Sequence, residues 1–327
     1  MKKLVEAFPK QLDEALKIGI GYKFKSTSKK FQNVVITGLG GSGIGGSIVQ
    51  NFCFNLISVP LVVNKDYFLP AFVNEKTLVI VCSYSGNTEE TLEAMDAALN
   101  AGATIVCITS GGKIGEIAKD NKLDCILVPS GMPPRSCLGY SMVQILFALA
   151  HFKLIGLEFV AQIQASIKLL DEGQKDIIKS AKSLSKKISG KLPIIYSSPA
   201  YEGVAIRFRQ QINENSKLLC WHAVIPEMNH NELVGWRDNA EDKAVIIFRN
   251  SDDYARVNAR IDINKAVFKK YTKNIFEIES KGDSYFERAF YLIHLTDWVS
   301  VILAEIRELD ATEVKVIDFL KGSLAKI

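Results

Sequence analysis

The stretch that most constrains the fold is Leu78-Val79-Ile80-Val81-Cys82, followed at once by Ser83-Tyr84-Ser85-Gly86-Asn87-Thr88. The first five residues are apolar and mostly β-branched, the pattern of a buried strand. Residues 92–99 then offer a run of helix formers. A chain that passes from buried strand through a short turn into a helix belongs to the α/β class. The turn carries three hydroxyls, on Ser83, Ser85 and Thr88, and Gly86 lets the backbone bend. The free N–H groups of the new helix and the positive end of its dipole point into the same space. Hydroxyls and helix N–H groups together suit a dianion such as a phosphomonoester. No lysine lies in the turn, so it is not a Walker loop. The alternative reading is a helix start with solvated hydroxyls.

A second turn of the same kind lies upstream. The short strand Asn33-Val34-Val35-Ile36-Thr37 leads into Gly38-Leu39-Gly40-Gly41-Ser42-Gly43-Ile44-Gly45-Gly46-Ser47, and an apolar helix is predicted over 48–54. GxGxxG matches twice, and Asp66 lies beyond the next strand at 60–63, which is the pattern of a dinucleotide fold. Two observations favour a single phosphate held by two loops over NAD. Ser42 offers a hydroxyl in mid-loop, and the turn after Cys82 is an anion site that a nucleotide fold does not need. Adjacent parallel strands would bring both turns to one carboxyl edge.

The alternation continues with strands at 103–109 and 125–128 around a short helix at 114–120. The loop Pro129-Ser130-Gly131-Met132-Pro133-Pro134-Arg135 then enters an apolar helix at 140–151. Arg135, stiffened by two prolines, suits an anionic ligand or a developing oxyanion, or else is a surface arginine at a helix start. Residues 157–187 read as one or two polar-faced helices, and the joint between two domains, 1–153 and 154–327, is placed at their start. The second half repeats the first in degenerate form: a strand at 192–196, the turn Ser197-Ser198-Pro199 and a helix at 201–213. Further strands are predicted at 244–248 and 275–278, and helices at 257–271, 286–308 and 313–321.

A chain of 327 residues with 48% hydrophobic content has ample core for two domains. A net charge of +4, from 40 basic and 36 acidic residues, is too balanced to argue for nucleic acid or a membrane surface. No apolar run is read as spanning a membrane, and Glu6 breaks any signal-peptide core. The six cysteines (Cys53, Cys82, Cys107, Cys125, Cys137 and Cys220) show no CxxC pairing, and a reduced cytoplasm is expected.

Two stretches of the second half carry candidate chemistry. In Gln211-Ile212-Asn213-Glu214-Asn215-Ser216 the asparagines suit a helix end, and a carboxylate there suits a general base or is simply solvated. In Pro226-Glu227-Met228-Asn229-His230-Asn231-Glu232 a loop histidine stands ready to exchange protons near neutral pH. His151 and His294 lie in apolar helices and read as core or interface, and His222 is ambiguous. Lys321 closes a face formed by Val314, Ile317 and Leu320, and matters only if that helix returns to the cleft.

Taken in order, Gly40-Gly41-Ser42-Gly43, the turn from Ser83 to Thr91, Pro133-Pro134-Arg135, Asn213-Glu214-Asn215 and Pro226-Glu227 with His230 closely resemble the bifunctional phosphoglucose/phosphomannose isomerases. These are sugar isomerase (SIS) domain proteins of the phosphoglucose isomerase superfamily, and the resemblance runs over nearly the whole chain. It implies two SIS-type α/β sandwich domains with mainly parallel sheets flanked by helices. It implies that Gly40, Gly41, Ser42, Ser83, Ser85 and Thr88 hold the sugar phosphate. Arg135 would stabilise an enediolate, Glu214 would shuttle the proton between C2 and C1, and Lys321 would help open the sugar ring. His230 would act with Lys321, reaching in from the neighbouring subunit of a homodimer. The helices at 140–151 and 291–303 are expected to supply the dimer patch. The implied reaction is aldose–ketose isomerisation between glucose or mannose 6-phosphate and fructose 6-phosphate, without metal or redox cofactor. Val314 stands where some bifunctional members carry a threonine, with Thr312 close by. The alternatives are a non-catalytic sugar-phosphate-binding regulator and an NAD-dependent dehydrogenase.

Overall fold

Repeated strand–turn–helix units close into two parallel sheets. In the computed structural model, which describes residues 1–25, 29–324 and 326, helices α1 (Lys2–Glu6) and α2 (Phe8–Gly21) come first. Then follow β1 (Asn33–Thr37), α3 (Gly40–Cys53), β2 (Leu61–Asn64), β3 (Thr77–Cys82), α4 (Glu89–Asn100), β4 (Thr104–Thr109), α5 (Gly112–Asp120) and β5 (Asp124–Leu127). These strands form a parallel sheet in the order β2-β1-β3-β4-β5. A 3₁₀ turn at Pro134–Ser136 precedes α6 (Leu138–His151) and the 31-residue α7 (Glu158–Ile188).

The second half begins with β6 (Leu192–Ser197) and continues through α8 (Glu202–Ser216), β7 (Trp221–Val224), β8 (Lys243–Arg249), α9 (Ala255–Phe268) and β9 (Ile275–Glu279). It ends with α10 (Tyr285–Ile306) and α11 (Lys315–Leu324). Its sheet, also parallel, has the order β7-β6-β8-β9, so these strands hold the same relative places as β2, β1, β3 and β4. The largest buried apolar cluster is continuous between the halves: Phe8 and Leu12 of α2 share it with Phe208 of α8 and Phe290 and Trp298 of α10.

Four expectations are corrected. The apolar helix after β1 begins at Gly40, so Ser42 lies in its first turn and not in a loop. Glycine is tolerated there because packing demands it: a Cβ at Gly43 would meet the Gly38 carbonyl oxygen at 2.2 Å, and one at Gly46 would meet Ile36 at 2.8 Å. The short edge strand β7 went unread, because His222 interrupts a run of only four residues. Helix α10 is, with 22 residues, long and apolar enough to cross a membrane, yet 89% of its most apolar window is buried inside the protein. Its buried charged residues find protein partners, Arg288 on Asp252 and Asp297 on Arg207. Finally, α6 and α10 bury almost all their apolar side chains within their own chain, so they offer no free patch for a second subunit.

Candidate active site

Parallel pairing of β1 with β3, Thr37 opposite Val81, delivers both hydroxyl-bearing turns to one edge of the first sheet. This is the crevice where the strand order reverses, the usual ligand position of open α/β sheets. Leu39 caps α3 without a side-chain hydrogen bond, so the first-turn amides at Gly40 and Gly41 lack intrahelical partners. Ser42 is buried, and its Oγ accepts the Tyr84 amide at 3.0 Å, which ties the two turns together. In the second turn Ser83 Oγ and Thr88 Oγ1 are 3.0 Å apart, and Ser85 Oγ accepts the Asn87 amide at 3.3 Å. Gly86 has φ +69°, and a Cβ there would lie 1.8 Å from the Gly111 carbonyl oxygen, so only glycine fits. From Ser83 to Thr88 the turn carries hydroxyl and amide side chains and no carboxylate.

Tyr84 links this edge to the proline-rich loop. Its hydroxyl donates to the Pro129 carbonyl at 2.9 Å and accepts the Met132 amide at 3.1 Å. Burial pushes that hydroxyl up to about 12, so it stays protonated. The backbone of Pro134 and Arg135 presses against Gly41, where a Cβ would meet the Pro134 oxygen at 2.7 Å.

Arg135 is 4% exposed, not a surface residue. Its Nε donates to Asn215 Oδ1 at 2.8 Å, and its Nη2 donates to the carbonyls of Ala311 and Thr312 at 2.7 and 2.9 Å. Its Nη1 faces Glu214 Oε2 at 3.4 Å. Burial lowers the guanidinium pKa, opposed by the charges of Glu214, Asp310 and Glu313. Glu214 stands in the last turn of α8 with its side chain 27% exposed, so one side of the carboxylate remains accessible. The chain leaves α8 through Lys217, held at φ 52°. Lys217 Nζ donates to the carbonyls of Glu214 at 2.6 Å and Glu313 at 2.8 Å. Sequence reasoning missed Lys217 and the Tyr84 hydroxyl; the one signal was a lysine two residues beyond the Asn-Glu-Asn triplet.

The structure thus gathers Gly40, Gly41, Ser42, Ser83, Ser85 and Thr88 along one edge, with Arg135 and Glu214 paired beside it. It does not bring His230 to them. Helix α8 leaves the carboxyl end of β6 and runs back for 15 residues, about 22 Å, so Glu214 lies at the amino end of the second sheet. His230 ends the 3₁₀ turn Glu227–His230 after the carboxyl end of β7, a parallel strand, and is exposed. The two residues therefore stand at opposite ends of that sheet. Lys321 is exposed on α11, and among the described residues no hydrogen bond or ion pair joins it to Arg135 or Glu214. Among the described residues after α10, the stretch 311–313 before α11 is the part that bonds Arg135 and Lys217.

The matching edge of the second sheet is built differently. Ser198 Oγ donates to Asp253 Oδ1, and the other oxygen of that carboxylate accepts the Asn250 amide at 3.0 Å. An internal anion stands at this turn, and burial raises its pKa. Among the described residues no group of three or more His, Cys, Asp or Glu is arranged to hold a metal ion.

Known proteins are similar to this chain. The bacterial phospho-glucose isomerase C-terminal SIS domain family matches residues 177–324. A bifunctional phosphoglucose/phosphomannose isomerase of Caldicellulosiruptor bescii is 40% identical over 98% of this chain and 97% of its own. One from Aquifex aeolicus is 36% identical over 90% of this chain and 91% of its own. Among solved structures, the C-terminal domain of glucosamine-fructose-6-phosphate aminotransferase from Francisella tularensis superposes with a TM-score of 0.79 at 14% identity, covering 96% of this chain and 98% of that one. Two parallel sheets flanked by helices are thus a shared SIS architecture. The identity across almost the full length goes further: the chain belongs to the family of bifunctional phosphoglucose/phosphomannose isomerases.

Proposed function

We propose that this protein is an aldose–ketose isomerase that interconverts glucose 6-phosphate, and also mannose 6-phosphate, with fructose 6-phosphate. The observation that carries this reading is the Arg135–Glu214 pair, 3.4 Å apart, beside two hydroxyl-lined turns at one sheet edge. The phosphate sits against the first-turn amides of α3 at Gly40 and Gly41 and the hydroxyls of Ser42, Ser83, Ser85 and Thr88. That fixes the distance from the phosphate to the reacting carbons. Glu214 removes the proton from C2 and returns it to C1, and Arg135 stabilises the negative charge that develops on the enediolate oxygen between these steps.

His230 stands too far from Glu214 in its own chain to share this cleft, so we assign it to the site of a second copy, and the homodimer is the catalytic unit. There it opens the sugar ring together with Lys321, which reaches the cleft as α11 settles over residues 311–313. The chain divides into 1–153, which supplies the phosphate turns and Arg135, and 154–327, which supplies Glu214 and His230. The six cysteines are free, which fits a reducing compartment, and we place the enzyme in the cytoplasm, in carbohydrate metabolism.

A coupled assay for fructose 6-phosphate formation tests the reading with each hexose 6-phosphate as substrate. Turnover of both establishes it. Failure with glucose 6-phosphate overturns it, and turnover of glucose 6-phosphate alone removes the mannose activity.

A further inference from the structure

Arg135 is held by more than its own neighbours. Arg207, Gln211 and Asn215 follow one another along a single face of α8, spaced four residues apart, and all three are buried. Asp297 and Ser300 face them from α10 and are buried as well. Arg207 Nη2 donates to Asp297 Oδ2 at 2.6 Å and to the main-chain carbonyl of Arg135 at 3.1 Å. Gln211 Nε2 donates to the other carboxylate oxygen of Asp297 at 3.0 Å. Asn215 accepts from Arg135 Nε at 2.8 Å and donates to Ser300 Oγ at 2.9 Å. Ser300 Oγ in turn donates to the Asp297 carbonyl at 2.7 Å. Two branches leave one turn of α10 and converge on one residue: through Arg207 on its backbone, through Asn215 on its guanidinium.

We propose that Asp297 and Ser300 are positioning residues for the isomerisation, acting on Arg135 through Arg207 and Asn215; this rests on the role given to Arg135 above. Neither residue reaches the sugar. A buried ion pair seldom stabilises a fold more than apolar residues of the same volume would, so an Arg–Asp pair that also grips the Arg135 carbonyl answers to geometry more than to stability. Arg135 must place one N–H where the enediolate charge develops, and a misplacement of about 1 Å there costs on the order of 100-fold in rate. The network fixes both ends of the residue and leaves Nη1 aimed at Glu214.

The test compares Ser300→Ala and Asp297→Asn with the full-length wild type, after folding is checked by circular dichroism and thermal midpoint. Ser300→Ala keeps every charge and removes the hydroxyl that anchors Asn215 and bonds the Asp297 carbonyl, so it decides the matter if Asp297→Asn fails to fold. The expected result is a kcat lower by about 3- to 10-fold for Ser300→Ala and about 10- to 100-fold for Asp297→Asn, with KM for the hexose phosphate within about twofold. A purely structural role would lower the thermal midpoint without this split. In an Arg135→Ala background neither substitution lowers kcat further, since both act through the missing side chain. An impaired Arg135→Ala beside folded, fully active Ser300→Ala overturns the proposal and leaves the role of Arg135 standing. Losses that add to that of Arg135→Ala overturn it too. Wild-type kcat in Arg135→Ala removes the role of Arg135 and the proposal with it.

Discussion

The guanidinium of Arg135 lies 3.4 Å from the carboxylate of Glu214, although one residue follows the last strand of the first sheet and the other ends the first helix of the second half. Each half alone carries an incomplete site. The first has the hydroxyl-bearing turns and a cation, the second a carboxylate with one side open to solvent.

Glu214→Gln keeps the shape of the side chain and removes its basicity. It is expected to lower kcat by about 10²- to 10⁴-fold and leave substrate affinity within a few-fold. Steady-state kinetics on the purified variant checks this, and near-normal turnover would take Glu214 out of the mechanism.

The phosphate turns predict a binding defect of a different kind. Ser42→Ala combined with Ser85→Ala removes two hydroxyls, each contributing roughly 1.5–3 kcal/mol to a charged partner. KM for glucose 6-phosphate should rise by at least tenfold, and free glucose should not be turned over by the wild type. Equal turnover of glucose and its phosphate would refute the anion site.

Subunit mixing tests the assignment of His230. Inactive Glu214→Gln and inactive His230→Ala chains, allowed to exchange, should form mixed dimers with one intact site. Random pairing makes about half the dimers mixed, so recovery should approach roughly a quarter of wild-type activity. Demonstrated exchange without recovery would mean that His230 does not act across an interface.

His294 predicts a dependence of stability on acid. It is buried in α10, stacks on Phe8, and its Nε2 bonds Gln174 Oε1, while its Nδ1 has no partner among the described residues. Burial lowers its pKa from 6.5 to about 4. Between these values the unfolded chain binds a proton that the folded chain does not, so stability falls as pH drops through that window. The full effect is about 3 kcal/mol, reached near pH 4. Thermal midpoints of wild type and His294→Gln, measured from pH 7 to pH 4, should differ in slope; parallel curves would show that His294 titrates normally.

Most of the strands and the two hydroxyl-bearing turns were legible because they depend on local signals. Runs such as Leu78 to Cys82 have no other stable use, and hydroxyls beside Gly86 mark a strand-to-helix turn. Arg135 and Glu214 were legible as candidates, yet not as a pair, since their approach depends on how α8 meets the first sheet. Arg207 and Asp297 were illegible for a physical reason. A charged residue in a helical run reads as a solvated face until the opposing helix supplies its counter-charge, here 90 positions away. The carboxylate of Asp253 was hidden in the same way, because the turn Ser197-Ser198-Pro199 looks like its first-half counterpart until the loop after β8 folds onto it.

Helix α10 packs on Phe8 and on the final turns of α7 and α8, and the residues just after it supply the carbonyls that hold Arg135. During synthesis α10 and residues 311–313 leave the ribosome after α2, α7 and α8. Until they do, the faces of α2, α7 and α8 that α10 covers stay exposed, and Arg135 has only part of its cage. The nascent chain therefore carries exposed apolar surface until α10 emerges, and the candidate site is complete only once residues 311–313 have followed.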